Sequence, residues 1–415
     1  MLSSDVIITL RDELESLYPG SAAGSLESLL SLSDDLLTWL LSVLREEPVS
    51  APIGENDQWS RLLSSLSSHY ILPLIWYNLR KKPESVLPPP WVREVLQEAY
   101  RNASMRTLRT EEQIARFCIP LRDAGIEPVI LKGPALGHLV FPYPALRTGS
   151  DIDILVPEEK VKETLACFEK LGYSPHVDSH GASAHAFHHV TLLPPDRSVA
   201  LAVEVHWRLL FLPGEITPPL DEMLSRTVQV QGDIASFSAL DTPDSLIYAA
   251  THMTIGHPQM IRLSWVADIA FLAEYLTRHD AWETLFSRTG DGVLLAAVQR
   301  ACKEAGFWFS PGARYVSPGF FPVLAPLADE RFGYLSAVVG RPDRHLVEVF
   351  RESKSLREGL ISAFHVLFMT NEIDWAGAPF RVKIEYFKEW VRMVFSLLQK
   401  RIISPSSGED RGRYD

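Results

Sequence analysis

Only three cysteines occur in this 415-residue chain, Cys118, Cys167 and Cys302, and no two of them form a CxxC pair. An odd, widely spaced set of thiols excludes a disulfide framework and supplies no zinc or dithiol redox motif, so a reducing compartment, the cytoplasm, is expected. Positive charge is scarce as well: 40 Lys and Arg stand against 52 Asp and Glu, for a formal net charge of −12. That balance disfavours nucleic acid as a partner and argues against any broad polyanion-binding surface, though a local basic pocket fits within an acidic whole. Long apolar runs are missing. The most apolar helical stretch, residues 26–44, carries Glu27, Asp34 and Asp35, and Asp5, Arg11, Asp12 and Glu13 interrupt the first residues. Neither a membrane span nor a signal peptide is expected there. The sequence also lacks a Walker-type glycine loop, a dinucleotide fingerprint, an HExxH motif and a nucleophile elbow, which removes the commonest rival enzyme classes.

What is present is a folded protein: 46% of the residues are hydrophobic, enough for substantial cores in two or three domains. Leucines recur at helical spacing over residues 25–45 and 59–80, with Pro48, Pro52 and Gly54 between the two runs. Pro83 and Pro88-Pro89-Pro90 make a stiff break, after which residues 91–124 read as one or two long helices ending near Gly125. The pattern then changes. A short apolar strand ends at Gly133, a short helix follows, a second strand carries Asp151 and Asp153, an amphipathic helix over 158–171 closes at Gly172, and a further strand covers 199–207. From Thr242, read as an N-cap, the chain is again helical to residue 399, and the tail from Ser404 is polar. These readings divide the chain into a helical N-terminal region (1–105), an α/β core (106–238), a helical C-terminal domain (239–400) and a disordered tail (401–415).

The chemistry concentrates at Ser150-Asp151-Ile152-Asp153-Ile154-Leu155-Val156. Strand alternation points Asp151 and Asp153 one way and Ile152, Ile154 and Val156 the other, so two anions lie side by side. Like charges at that spacing repel, and a divalent cation is the natural partner for them. On the later strand, Glu204 and His206 share one face and Val203 and Val205 the other, which makes a third carboxylate available. Two aspartates and an acid from a neighbouring strand can hold one or two Mg²⁺ (or Mn²⁺) ions, clamp a nucleoside triphosphate and activate an attacking hydroxyl. The alternative is that the acids line a solvent-facing sheet edge. Lys132 follows Ile130 in phase and offers a mobile charge beside the Gly133 turn, Arg147 has both phosphate and ion-pair readings, and Trp207 is read as core. His206 is a candidate for phosphate contact or proton transfer, or else a hydrogen-bonded buried histidine. His176, His180, His185, His188 and His189 match no strong zinc signature and read as a loop beside the site, with His188 or His189 starting a strand. His252, Arg262 and Asp268 read as buried polar residues that orient helices.

Lys132-Gly133, Arg147, Ser150-Asp151-Ile152-Asp153 and Val203-Glu204-Val205-His206-Trp207, in this order and spacing, resemble the uncharacterised nucleotidyltransferase family of the polymerase-beta-like nucleotidyltransferase superfamily. Trp59, His69, Leu72 and Pro73, and His252 followed by Arg262-Leu263-Ser264-Trp265-Val266-Ala267-Asp268-Ile269, extend the likeness over about residues 25–395. The resemblance implies an α+β fold, with a small mixed-sheet nucleotidyltransferase core flanked by helical N-terminal and C-terminal regions. It implies transfer of an NMP from an NTP, ATP being the expected one, to an acceptor hydroxyl or phosphate. Asp151, Asp153 and Glu204 would be metal ligands and catalytic carboxylates, with Lys132, Gly133, Arg147, Ser150 and His206 on the cofactor side. Many superfamily members carry Gly-Gly or Gly-Ser in the turn, whereas Pro134 follows Gly133 here; proline has no N–H for a phosphate, so the backbone cradle is shortened. A small molecule, a peptide or a protein is the expected acceptor. The competing readings are a non-catalytic nucleotide-binding scaffold of the same fold and a toxin-type nucleotidyltransferase that modifies tRNA.

Overall fold

In the computed structural model the described residues are 32–50, 54–176, 189–209, 220–258, 260–290, 292–310 and 312–324, with Leu26, Leu29, Ala328 and Phe332. They all belong to one compact unit of residues 1–176 and 188–340; the other unit, 177–187 and 341–415, lies outside them, as do the polar tail and most of the histidine-rich segment.

The leucine-rich N-terminal runs form helices α1 (Asp34–Leu44), α2 (Asn56–Ser68) and α3 (Leu72–Leu79). Their apolar faces bury against one another, with Trp39 set edge-on to Trp59 at 5.1 Å between ring centroids. Where the sequence suggests one run over 59–80, the structure has two helices, because Tyr70 turns into the left-handed region at φ +55° between them. At the start of α2, the Glu55 backbone N–H donates to Gln58 Oε1 at 2.8 Å. Residues 90–123 are a single 34-residue helix, α4 (Pro90–Asp123), opened by a proline in its first turn where no N–H is needed. Pro120 falls in its last turn, and Gly125 at φ +72° ends the run.

Among the described residues the sheet has seven strands: β1 (Val129–Ile130), β2 (Asp151–Leu155), β3 (Ser174–Pro175), β4 (His189–Leu193), β5 (Ala202–His206), β6 (Val228–Gln231) and β7 (Ser236–Ala239), ordered β3-β4-β5-β2-β1-β7-β6. It is mixed: β2–β5 and β1–β7 are parallel and the other neighbours antiparallel. The expected α+β architecture, a mixed sheet among helices, is present. Strands β6 and β7 are additions to the sequence reading, which placed no strand after residue 207. Between strands lie α5 (Pro134–Leu139), α6 (Val161–Lys170) and α7 (Leu220–Ser225). Then come α8 (Thr242–Thr251), a π-helical turn (His252–Gly256), α9 (Leu263–Arg278), α10 (Trp282–Thr289) and α11 (Val293–Trp308). The N-cap of α8 is Asp241, whose carboxylate accepts from Asp244 N at 3.0 Å, one residue before the expected Thr242. Among the described residues no helix is long and apolar enough to cross a membrane.

Helix α4 is tied to the sheet by two buried polar side chains. Gln113 donates to Leu201 O at 2.7 Å and accepts from Leu201 N at 2.9 Å, fixing the entry of β5. Glu111 contacts His138 Nε2 at 2.7 Å and accepts from Ile234 N at 2.8 Å, joining α5 and the β6–β7 turn to the same helix. Leu155, Leu240, Tyr248, Ile255 and Ala297 pack together between the sheet and the C-terminal helices. Each large side chain buried this way contributes roughly 1.5–3 kcal/mol.

Candidate active site

Strand β2 lies in the middle of the sheet, between β5 and β1, which rules out the edge-strand reading of its acids. Its parallel register with β5 sets Asp153 beside Glu204 and Leu155 beside His206. Side-chain alternation therefore gathers Asp151, Asp153, Glu204 and His206 on one face, while Ile152, Ile154, Val203 and Val205 are fully buried on the other. Trp207 is buried as core, as its phase suggested.

Asp153, only 2% exposed, is met by two nitrogen groups: Lys132 Nζ lies 3.4 Å and His206 Nε2 3.2 Å from its Oδ1. The same His206 nitrogen is 3.5 Å from Glu204 Oε2. Lys132 thus joins the carboxylates, although its sequence phase matched that of Ile130, whose strand partner is Ile154 on the far face. The strand ends at Ile130, so the alternation no longer governs Lys132 in the turn that follows. Gly133 makes that turn at φ +58° and ψ −111°, a conformation open to glycine, and Pro134 opens α5 immediately after it. Of the early N–H groups of α5, Ala135 donates to Lys132 O and Gly137 to Gly133 O.

The carboxylates are electrostatically unequal. Burial, then the charge of Asp153, pushes Asp151 up to about 6, with Glu204 adding to the rise and Lys132 and Arg147 opposing it. Asp153 is held below the usual carboxylate range despite its burial, because Lys132 and His206 stabilise the anion. His206 is correspondingly raised: burial works against its charge, and the hydrogen bonds to Asp153 and Glu204 outweigh it.

Sequence reasoning missed two residues that complete this face. His189, the first residue of β4, is the direct cross-strand partner of His206, their rings stacked at 4.9 Å, and its Nε2 lies 3.9 Å from Glu204 Oε2. His252, in the π-helical turn, stands 2.9 Å from Lys132 Nζ through its Nε2. Burial and then the lysine charge keep His252 well below its ordinary value, so the ring is neutral and accepts from the ammonium. The expectation that His188 or His189 begins a strand came within a residue of its position but did not give its partners. For His252 the available signal was its place in an apolar helical context, which reads equally well as core.

Among the described residues, Arg147 and Ser150 make no hydrogen bond to Asp151, Asp153 or Glu204. Arg147 is buried and pairs with Asp268 of α9, while its third guanidinium nitrogen, Nη1, donates to Thr148 O. Ser150 is exposed in the bend before β2. Arg262 lies between the rings of Tyr70 and Trp265, 5.1 and 5.2 Å from their centroids, with no carboxylate partner among the described residues.

A family model described as an uncharacterised nucleotidyltransferase matches residues 55–310, more than half of the chain. No curated protein matches it.

Proposed function

The chain belongs to the uncharacterised nucleotidyltransferase family, and from that premise we propose that it transfers a nucleoside monophosphate from a triphosphate to an acceptor hydroxyl or phosphate at the face formed by β2 and β5. The observation that carries this reading is the register of Asp153 with Glu204, which gathers three carboxylates on one side of two central strands. Their donor set suits a hard divalent cation, Mg²⁺ or Mn²⁺: all three ligand groups offer oxygen. The rise of Asp151 caused by burial and Asp153 fits the same idea, since it marks an excess of negative charge that a cation would relieve.

Asp151, Asp153 and Glu204 would hold the ion, which when bound neutralises charge developing on the transferred phosphoryl group. Lys132 lies beside this face and would bind a phosphate oxygen, while neutral His252 fixes the direction of its ammonium. The acceptor oxygen forms a bond to the α-phosphorus as the bond from that phosphorus to the pyrophosphate oxygen breaks. The acceptor proton goes to a carboxylate of the site, and pyrophosphate leaves. Gly133 would let the chain pass close to the triphosphate, with Pro134 reducing the number of backbone N–H groups that contribute. The net charge of −12 supports a small molecule, peptide or protein as acceptor over nucleic acid.

Incubation with each labelled triphosphate, Mg²⁺ and cell extract tests the proposal. Label is expected in the small-molecule or protein fraction with the native chain and in none with the Asp151→Ala, Asp153→Ala double variant. Transfer that persists in the double variant would overturn the assignment of the carboxylates, and label in RNA would overturn that of the acceptor.

A further inference from the structure

The donors around Glu204 differ from those around Asp151, and we propose that His189, Glu204 and His206 form a second cation position, sharing Glu204 with the first, that takes a first-row transition metal, of the Zn²⁺ or Co²⁺ type, in preference to Mg²⁺. The inference deepens the proposed role of Glu204 as a metal ligand and rests on it, but its test requires no transfer reaction.

Backbone pairing builds the position. His189 and His206 are directly opposite in the antiparallel β4–β5 pair, and Glu204 precedes His206 by two residues on the same face, opposite Thr191. Three donor-bearing side chains from two adjacent strands are therefore fixed by hydrogen-bonded backbone and not by a loop. One ligand atom from each lies within 4.8 Å of the others. Glu204 Oε2 is 3.5 Å from His206 Nε2 and 3.9 Å from His189 Nε2. Ligands about 2.1 Å from a metal stand about 3.4 Å apart in a tetrahedron and about 3.0 Å apart in an octahedron, so both spacings suit the tetrahedral ion better.

Donor chemistry leads to the same choice. Two imidazole nitrogens and one carboxylate bind zinc and its neighbours strongly, whereas Mg²⁺ takes oxygen ligands and keeps much of its water. Three protein ligands also leave a coordination position for a water or a phosphate oxygen. The position adjoins the other carboxylates through one atom, because His206 Nε2 is also 3.2 Å from Asp153 Oδ1. That nitrogen cannot both ligate a metal and donate to Asp153, so filling this position releases Asp153 Oδ1 for a neighbouring cation.

The experiment uses the full chain stripped with chelator, titrated without nucleotide by Zn²⁺ in a calorimeter and by Co²⁺ with visible d–d absorption as the readout. About one equivalent is expected to bind, with bands characteristic of imidazole ligation, and Mg²⁺ in large excess is expected not to displace it. His189→Ala and, as a milder change, His189→Gln should each weaken Zn²⁺ by roughly tenfold or more while the far-UV circular dichroism is unchanged. Asp151→Asn should retain the binding. Displacement by Mg²⁺, absence of the bands, unaltered affinity in both His189 variants, or equal loss in Asp151→Asn would each overturn the proposal. Zinc binding that survives while the native chain fails to transfer label would remove the nucleotidyl-transfer reading alone.

Discussion

Arg147 and Asp268 close a bidentate ion pair between the approach to β2 and the middle of α9, Nε to Oδ1 at 2.6 Å and Nη2 to Oδ2 at 2.8 Å, with both side chains buried. Burial works against each charge, and each is the other's compensation. Removing one partner strands the second in a dry environment, so Asp268→Asn is expected to destabilise the protein by about 3–5 kcal/mol. Replacing both, Arg147→Met with Asp268→Leu, should recover most of that loss. Urea denaturation of the two variants measures the difference. If Asp268→Asn unfolds at the native midpoint, the pair does not hold the strand to the helix.

The turn at Gly133 yields a second expectation. A Cβ added there would meet nothing within 4 Å, so any cost arises from the backbone alone, at φ +58°. Gly133→Ala should cost about 1–3 kcal/mol, or else relax the turn and move Lys132. Gly137→Ala is different in kind, since its Cβ would lie 3.0 Å from the carbonyl oxygen of Pro144, and that backbone must give way. Chemical denaturation and triphosphate binding, measured together, separate the two: Gly133→Ala should weaken binding by more than its stability loss explains, and Gly137→Ala should not.

Local periodicity made the acidic face legible. The alternation Asp-Ile-Asp-Ile and Val-Glu-Val-His assigns faces without any knowledge of neighbours, and the strands are where that pattern puts them. It could not reveal register. That Asp153 stands beside Glu204 depends on a parallel pairing of strands some fifty residues apart, and that His189 reaches Glu204 depends on a third strand folding back antiparallel. The partnership of Arg147 with Asp268, 121 residues away, has no local signal at all. Strand β6 did have one: Val-Gln-Val-Gln alternates, but its polar half and short length leave it weak until β7 pairs with it. Lys132 shows the limit of phase reasoning, because the strand ends at Ile130, before the apolar run does.

His69 gives a pH dependence with a definite sign. Its Nδ1 accepts from Leu263 N at 3.3 Å and its carbonyl from Ser264 N at 3.2 Å, capping the start of α9. Burial, and after it the charge of Arg262, lowers it from 6.5 to about 4. Between those values the unfolded chain takes up a proton that the folded one refuses, so the unfolded state is favoured progressively as the pH falls. The stability present above pH 6.5 should therefore decline through that window by ~3 kcal/mol from this group. The difference in unfolding free energy between the native chain and His69→Gln, followed by urea denaturation from pH 7.5 to 4, isolates the effect. A difference that stays constant across the window would mean that His69 is not buried neutral.

Lys132 Nζ lies 3.4 Å from Asp153 Oδ1, and a divalent ion at the carboxylates would act on the same aspartate. In Lys132→Met, Asp153 keeps its burial and loses the lysine ammonium, so without added metal the variant should be less stable than the native chain by up to about 3 kcal/mol. Mg²⁺ restores positive charge at the same face. Its addition should therefore raise the melting temperature of Lys132→Met by more than that of the native chain, since ligand binding to the folded state adds stability in proportion to its gain there. Transfer activity should move the other way, falling by roughly 10²-fold at saturating Mg²⁺, because the ammonium that would meet a phosphate oxygen is gone. Differential scanning calorimetry with and without Mg²⁺, set beside initial rates of label transfer, tests both parts. Equal Mg²⁺ shifts in the two proteins would show that lysine and cation do not share Asp153, and an unchanged rate would remove Lys132 from the phosphate side of the site.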